Sequence, residues 1–303
     1  MPKSKFLFLA LAVAACTPER EPAPDVVSLP EKIIISPVQN AIVVGGTAQF
    51  SALFINTKGD TTTAATSWKS LDPFATIDGS GNATGIAPGQ ARIVVTFKTL
   101  ADTAYLNVSA NTTTLAQIAL TGPTTEVRVD STFSISPMGT NAAGSPAAVT
   151  QLVYTIADPS IVAQIGNTNQ FKIFKGGNTT IRATSGTITS APFELTAARH
   201  STFRGVQGHS GQGMANVFVK QGLVHIRFLS SFNTPQGPDY RVFLSRKELG
   251  SEVIQNGVEI AILRNFNGEQ TFIAPANVSL YDYPYLLIHC RQYNVSVLAS
   301  TLR

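Results

Sequence analysis

Cysteine is nearly absent from this 303-residue sequence, which has only Cys16 and Cys290, and charged residues make up just 13% of it. Two cysteines are too few for a disulfide-dense scaffold, and the cysteines and dispersed histidines include no ligand pair at the spacing usual for zinc. Covalent haem is excluded because the sequence has no Cys-x-x-Cys-His segment. No apolar run is long enough for a membrane-spanning helix. We therefore expect no bound metal, no cofactor and no membrane-spanning helix.

The distribution of charge and the motifs argue against two further classes of function. The formal net charge is +4, but the basic residues are scattered, so nucleic acid is not an expected partner. The segment from Gly208 to Gly213 invites comparison with a hydrolase nucleophile elbow, Gly-x-Ser-x-Gly, but Gln212 occupies the place of the second glycine. We identify no catalytic residues and do not expect a conventional enzyme.

The first thirty residues have the order of a secretory signal followed by a tether. Two lysines precede an apolar run, residues 6–15, that is too short to cross a bilayer. Residues 13–16, Val-Ala-Ala-Cys, resemble the lipobox of bacterial lipoproteins, which implies removal of residues 1–15 and acylation of Cys16. Residues 16–30 are proline-rich, as in an extended tether. The resemblance predicts a cell-envelope protein held by lipid on a bacterial membrane, the outer one in particular, facing the periplasm or the exterior.

Alternation of apolar and polar residues predicts β-strands along the whole chain. Ala91, Ile93 and Val95 share one face of a strand, whereas Arg92 and Thr96 share the other. Segments with helical apolar spacing are hard to find, and glycine, proline and asparagine turns separate the alternating runs. The sequence therefore predicts an all-β chain.

The first two thirds of the chain contain two repeats. Trp68 aligns with Tyr154, and the Asp-Pro pair that follows Trp68 aligns with a second Asp-Pro pair after Tyr154. Short strands at this density are typical of a β-sandwich. We place the two repeats at residues 31–110 and 115–198, with short linkers near 110–114 and 197–200.

Three segments of the first repeat carry a family resemblance: VVGGTAQF at 43–50, WKSLDP at 68–73 and GNATGIAPG at 81–89. With them, residues 31–110 resemble the group-two bacterial immunoglobulin-like (Ig-like) domain. The resemblance implies an Ig-like β-sandwich that serves as a spacer or binding module of surface proteins. The second repeat departs from the pattern because Tyr154 replaces the tryptophan, but we expect the same fold. Trp68 itself is expected to pack in the core.

The last third of the chain, residues 199–303, holds all four histidines and Cys290. Its residues resemble those of the DM-thirteen domain, a small β-rich extracellular module. The matching positions are Phe203, Gly205, Phe232, Gly237, Pro238, Asp239, Leu244, Gly268, Gln270, Pro275, Cys290 and Tyr293. The resemblance implies a third β-sandwich or barrel-like domain and a proposed role in electron transfer through the cysteine. The sequence departs from the family at His289, where an aromatic residue usually precedes the cysteine.

Cys290 is the candidate redox residue, and two interpretations of it stay open. On a regular strand, Cys290 faces the same side as its apolar neighbours at 286 and 288, and His289 faces the other side. This geometry favours a buried, inert cysteine. The family resemblance favours a reactive one, and Asp239 or Arg241 could approach it from another strand as supporting groups. His225 shares its face with Arg227, so we expect that face to meet solvent.

The sequence thus predicts two Ig-like β-sandwiches followed by a DM-thirteen-like domain, all held at the envelope by lipid on Cys16. The terminal domain is either a binding module or a redox accessory that acts through Cys290. The alternative is a structural or adhesive surface protein that binds carbohydrate or envelope proteins and has no redox role.

Overall fold

The structure, a computed structural model, describes residues 29–63 and 65–303. The predicted signal, the lipidation site Cys16 and the tether up to residue 28 lie outside the described residues. The all-β prediction is confirmed, because the described ranges hold strands β1 to β27 and a single four-residue helix. No helix in them has the length and apolar character needed to cross a membrane.

The first domain is a β-sandwich of three sheets around one core. In β9 the alternation is as predicted, with Ala91, Ile93 and Val95 fully buried and Arg92 exposed. Trp68 packs against the same core, as expected. The strands are β1 (Lys32–Ser36), β2 (Gln39–Val43), β3 (Thr47–Gln49), β4 (Ser51–Ile55), β5 (Thr61–Thr62), β6 (Ser67–Ser70), β7 (Ala75–Ile77), β8 (Asn82–Gly85), β9 (Gly89–Phe97) and β10 (Leu100–Ser109).

The second domain repeats this plan. Its strands are β11 (Leu115–Thr121), β12 (Val127–Arg128), β13 (Thr132–Ser134), β14 (Ser136–Asn141), β15 (Val153–Ile156), β16 (Val162–Gln164), β17 (Gln170–Ile173), β18 (Gly177–Ser185), β19 (Ile188–Thr189) and the first half of β20 (Phe193–Gly205). The order β12-β20-β18-β15 copies β2-β10-β9-β6, including the parallel first pair. Trp68 and Tyr154 occupy equivalent strands, β6 and β15, which pair with β9 and β18. The same topology has therefore formed twice.

The C-terminal domain is one strongly curved sheet of order β24-β23-β26-β27-β20-β21-β22-β25. Its two end strands approach each other, so the sheet forms a nearly closed barrel with the domain's main core inside. The elements after β20 are β21 (Gln212–Lys220), β22 (Leu223–Phe228), β23 (Tyr240–Ser245), α1 (Glu252–Gln255), β24 (Gly257–Ile262), β25 (Gln270–Ile273), β26 (Tyr285–Cys290) and β27 (Val295–Thr301).

Strand β20 belongs to two domains at once. Residues 193–198 pair with β18 and β12 of the second domain, and residues 199–205 pair with β21 and β27 of the third. The linker expected near 197–200 is therefore not a linker, because the hydrogen-bonded strand runs through it without interruption. The boundary that we placed between 198 and 199 lies inside this strand.

Candidate functional site

Cys290 lies at the end of β26, inside the barrel, and is 2% exposed. It is a free thiol. Leu286 and Ile288 belong to the same core cluster, so the predicted alternation along this strand is confirmed. These apolar surroundings are those of a buried, unreactive cysteine, because a reactive thiol needs solvent access and a stabilising positive charge.

Tyr240 lies directly across from Cys290 on the neighbouring strand β23. Partners in an antiparallel pair share one face of the sheet, so the phenol and the thiol point to the same side. The pKa of Tyr240 is raised, first by burial and then by Cys290. Gly237 makes room for the ring, because a Cβ on Gly237 would lie 2.1 Å from Cε1 of Tyr240. The Gly-Pro-Asp segment thus positions the aromatic residue that faces the thiol.

Asp239 and Arg241, the predicted supporting residues, pair with each other. Arg241 is the register partner of His289 and so lies on the sheet face opposite to the thiol. Its Nε donates to Oδ1 of Asp239 at 2.5 Å, and its Nη1 donates to Oε1 of Glu259 at 3.1 Å. Glu259 also pairs with Arg291, whose backbone N–H donates to the carbonyl of Asp239 at 3.0 Å. This charged cluster fastens the chain after Cys290 to β23.

His289 is fully buried on the face of β26 that points away from the thiol. Its Nδ1 lies 3.3 Å from Oγ of Ser296, its Nε2 lies 3.1 Å from Oδ1 of Asn294, and Phe243 packs against it edge to face. Burial lowers its pKa, against an opposing contribution from the hydrogen bond to Asn294. Because both of its ring nitrogens already have hydrogen-bond partners and the ring lies on the far face of the strand, His289 cannot serve as the base for Cys290.

Two stretches of the chain match known families. Residues 31–108 match the bacterial Ig-like domain (group 2), and residues 202–299 match the family described as Electron transfer DM13, the DM-thirteen domain of the sequence analysis. The C-terminal domain is a DM13 domain. Both resemblances inferred from the sequence are confirmed.

Solved structures similar to the chain include surface-layer and adhesin proteins. Domains 5–6 of the S-layer protein SbsC are 16% identical, with a TM-score of 0.26, over 55% of this chain and 96% of that one. The Escherichia coli adhesin FdeC is 13% identical, with a TM-score of 0.26, over 88% of this chain and 92% of that one. No curated protein matches the chain. The domain assignment therefore rests on the two family matches.

The prediction for His225, in the DM13 domain, is wrong. His225 and Arg227 share a face of β22, as expected, but His225 is only 9% exposed. Its ring stacks on Phe218 at a centroid distance of 5.6 Å. The reason lies outside the domain, because residues 123–126 and 194–196 of the second Ig-like domain cover this face. Sequence alternation identifies faces, but it does not tell which face another domain covers.

Arg199 is a structural residue that sequence reasoning missed. It is 7% exposed in the middle of β20, and burial lowers its pKa. Its guanidinium donates to three carbonyl oxygens of the DM13 domain, those of Leu280 at 2.9 Å, Tyr283 at 3.1 Å and Leu302 at 2.8 Å. The apolar neighbours Ala197 and Ala198 were the only signal in the sequence, since they indicate a strand that is buried on both faces.

The chemistry that this site can perform is limited by access to the sulfur. Nowhere in the described ranges do three or more His, Cys, Asp and Glu side chains come together to hold a metal ion. Any reaction of Cys290 with a second molecule requires β26 and the turn after it to open, because the thiol is enclosed by the barrel.

Proposed function

We propose that the protein is a lipid-anchored component of the bacterial cell envelope, in which two Ig-like domains hold a DM13 domain away from the membrane. The lipobox-like residues 13–16 support the anchor, and the domain order supports display. The observation that carries the proposal is the continuity of β20, which joins the second Ig-like domain and the DM13 domain into one hydrogen-bonded body. Such a junction transmits position and force from the second Ig-like domain to the DM13 domain.

In this role the DM13 domain acts as a binding module for surface carbohydrate or for other envelope proteins. Its thiol contributes to the core and takes no part in chemistry. The enclosure of Cys290 supports this choice, because the sulfur of a residue that is only 2% exposed is out of reach of a folded partner.

A redox accessory is the second candidate, and the match of residues 202–299 to the family described as Electron transfer DM13 is the observation in its favour. The reaction would be thiol–disulfide exchange with a disulfide-bonded envelope protein. The thiolate of Cys290 would attack one partner sulfur, the mixed disulfide would form, and the second partner sulfur would leave as a thiolate. This step requires the end of β26 to open, whereas the binding role does not.

Thiol labelling separates the two candidates. We expect an alkylating reagent to modify Cys290 in the unfolded protein and to leave it unmodified in the native protein for hours, because the barrel encloses the sulfur. Mass spectrometry of the alkylated protein gives the labelled fraction. Labelling of the native protein as fast as that of a free thiol would overturn the binding role and favour the redox role. Cys290→Ser, treated in the native and in the unfolded state, gives the contribution of Cys16 to the labelling.

Anchoring has a separate test. Cys16→Ala should release the protein from the membrane fraction into the soluble fraction, because the acyl chains would be lost. Fractionation of cells that express either form, followed by detection of the chain, measures this change. Membrane association that survives the substitution contradicts the anchor, and Cys290→Ala serves as the matched control that should stay bound.

A further inference from the structure

A cavity of about 340 Å³ lies between the second Ig-like domain and the DM13 domain. One wall is a face of the DM13 sheet, with Phe218 and Lys220 on β21, His225 and Arg227 on β22, and Thr271 on β25. The other wall comes from residues 123–126 and 194–196 of the Ig-like domain. The volume lies at the lower end of the range for small-molecule sites, which is about 300–1,000 Å³, so it suits a single small ring.

Two side chains of this cavity have polar atoms that are unused within the part of the chain that the structure describes. Nε2 of His225 and Nε of Arg227 have no hydrogen-bond partner there. The pKa of His225 is lowered, mainly by burial, while a hydrogen bond to the Lys220 backbone opposes this shift. Nε of Arg227 is a donor, and Nε2 of the imidazole accepts or donates according to its tautomer. Buried polar atoms without partners are costly, so these two call for a ligand or ordered water.

The charges of the lining select against an ionic ligand. Glu126, whose side chain is 4% exposed, forms an ion pair of 2.5 Å with Arg227 and accepts a hydrogen bond from Asn216 at 2.9 Å. Arg227 is therefore already neutralised. The remaining charged groups of the lining, Lys220 and Glu194, are opposite in sign. The four charged side chains of the lining therefore sum to no net charge, so the cavity favours neither an anion nor a cation over a neutral ligand.

We propose that this interdomain cavity binds one neutral sugar residue. A sugar hydroxyl both donates and accepts, so one ring can satisfy Nε2 of either His225 tautomer together with the donor of Arg227. Thr124, Thr125, Thr196 and Thr271 add hydroxyl groups on both walls, and Phe218 adds an apolar surface for the C–H face of the ring. The proposal rests on the role of the DM13 domain as a binding module and gives that role a site and a ligand class.

Calorimetric titration of the full-length protein in detergent tests the site. The probes are glucose, galactose, mannose and N-acetylglucosamine, with inorganic phosphate as the anionic comparison. We expect at least one sugar to bind with a dissociation constant of about 1 mM or lower and phosphate not to bind. His225→Phe keeps the stacking on Phe218 and removes the unpartnered ring nitrogen, so it should weaken sugar binding about tenfold. His209→Phe, outside the cavity, should leave the affinity unchanged.

Two further variants test the site without replacing His225. Thr271→Val alters only the exposed rim and should weaken binding about threefold or more. Glu126→Gln removes the counter-charge of Arg227, so this variant should acquire affinity for phosphate. A purely structural role of Glu126 would not produce this gain. The proposal is overturned if no sugar in the panel binds, which means that water alone fills the cavity. It is equally overturned if His225→Phe and His209→Phe bind alike. Either result leaves envelope anchoring and the thiol test unaffected.

Discussion

The two domain junctions of this chain are built differently. Between the first and second Ig-like domains, contact is made by side chains: Gln39 and Gln90 reach the backbone of Thr189, and Arg182 stacks on and hydrogen-bonds to Tyr105. Between the second Ig-like domain and the DM13 domain, the backbone of β20 itself crosses the boundary. The first junction is a docked surface, and the second is a shared sheet.

The difference determines what each junction can do. A docked surface held by a few polar contacts opens when those contacts break, because no strand needs to be disrupted. A shared strand opens only if its ladder hydrogen bonds on both sides are lost. Tyr281 strengthens the second junction, because its hydroxyl lies 2.7 Å from the backbone nitrogen and 3.1 Å from the carbonyl of Gly176. We infer that bending concentrates at the first junction.

Arg199→Ala is expected to destabilise the second junction more than any other substitution proposed here. The substitution removes the donors to three carbonyl oxygens of the DM13 domain, which would stay buried without them. We expect a loss of about 3 kcal/mol in the free energy of unfolding, measured by chemical denaturation. Arg204→Ala is the matched control on the same strand, because its ion pair with Glu248 is largely exposed and is worth less than about 1 kcal/mol. Equal effects of the two substitutions would contradict the special role of Arg199.

Much of the fold was predictable from local pattern. Alternation at Ala91, Ile93 and Val95 identifies a buried face, because it depends only on neighbouring residues. The alignment of Trp68 with Tyr154 identifies a duplicated sandwich, because it compares two segments of the sequence directly. The continuity of β20 was not predictable in this way. Whether a strand ends at a domain boundary depends on its pairing partners, and these are distant in sequence.

The site shows the same division between local and distant information. The orientation of Cys290 and His289 to opposite faces follows from strand alternation and is confirmed. The residue across from the thiol could be identified only from the strand register. That residue is Tyr240, whereas we had considered Asp239 and Arg241. Register is set by turns and core packing over the whole domain, so the sequence of one motif does not determine it.

Mild acid should destabilise the DM13 domain more than the first Ig-like domain. All four histidines lie in the last third of the chain, and burial lowers the pKa of His200, His225 and His289. A lowered folded pKa means that the unfolded state takes up protons first as the pH falls below about 6.5. Stability of the DM13 domain is therefore full above that pH and declines towards about pH 5. Thermal unfolding of the full chain across this range measures the decline.

The first Ig-like domain supplies the internal reference for this titration. Its perturbed carboxyl groups include Asp72, whose pKa is lowered chiefly by its hydrogen bond with Arg92, and Asp78, whose pKa is lowered chiefly by Ser80. Such groups contribute stability that is lost only as the pH falls below about 4, their ordinary range. A fall in stability between pH 7 and 5 that appears equally in the first Ig-like domain would contradict the assignment to the buried histidines.

Gln39→Ala is the mildest test, and it addresses the docked junction alone. Gln39 is 7% exposed, accepts from the backbone N–H of Ala191 at 2.9 Å and donates to the carbonyl of Thr189 at 3.2 Å. Because Thr189 keeps its bond from Gln90, we expect the junction to lose only about 1 kcal/mol. Small-angle scattering should then detect a wider spread of angles between the two Ig-like domains at unchanged thermal stability of each.

The control for this substitution is Gln49→Ala. Gln49 makes the same number of hydrogen bonds, to the carbonyl oxygens of Phe50 at 2.8 Å and Ser80 at 2.9 Å, but both lie inside the first domain. It should lower the stability of that domain slightly and leave the interdomain angle unchanged. If Gln39→Ala changes neither the scattering profile nor its breadth, the first junction is held by apolar packing and the Arg182–Tyr105 contact, and bending does not concentrate there.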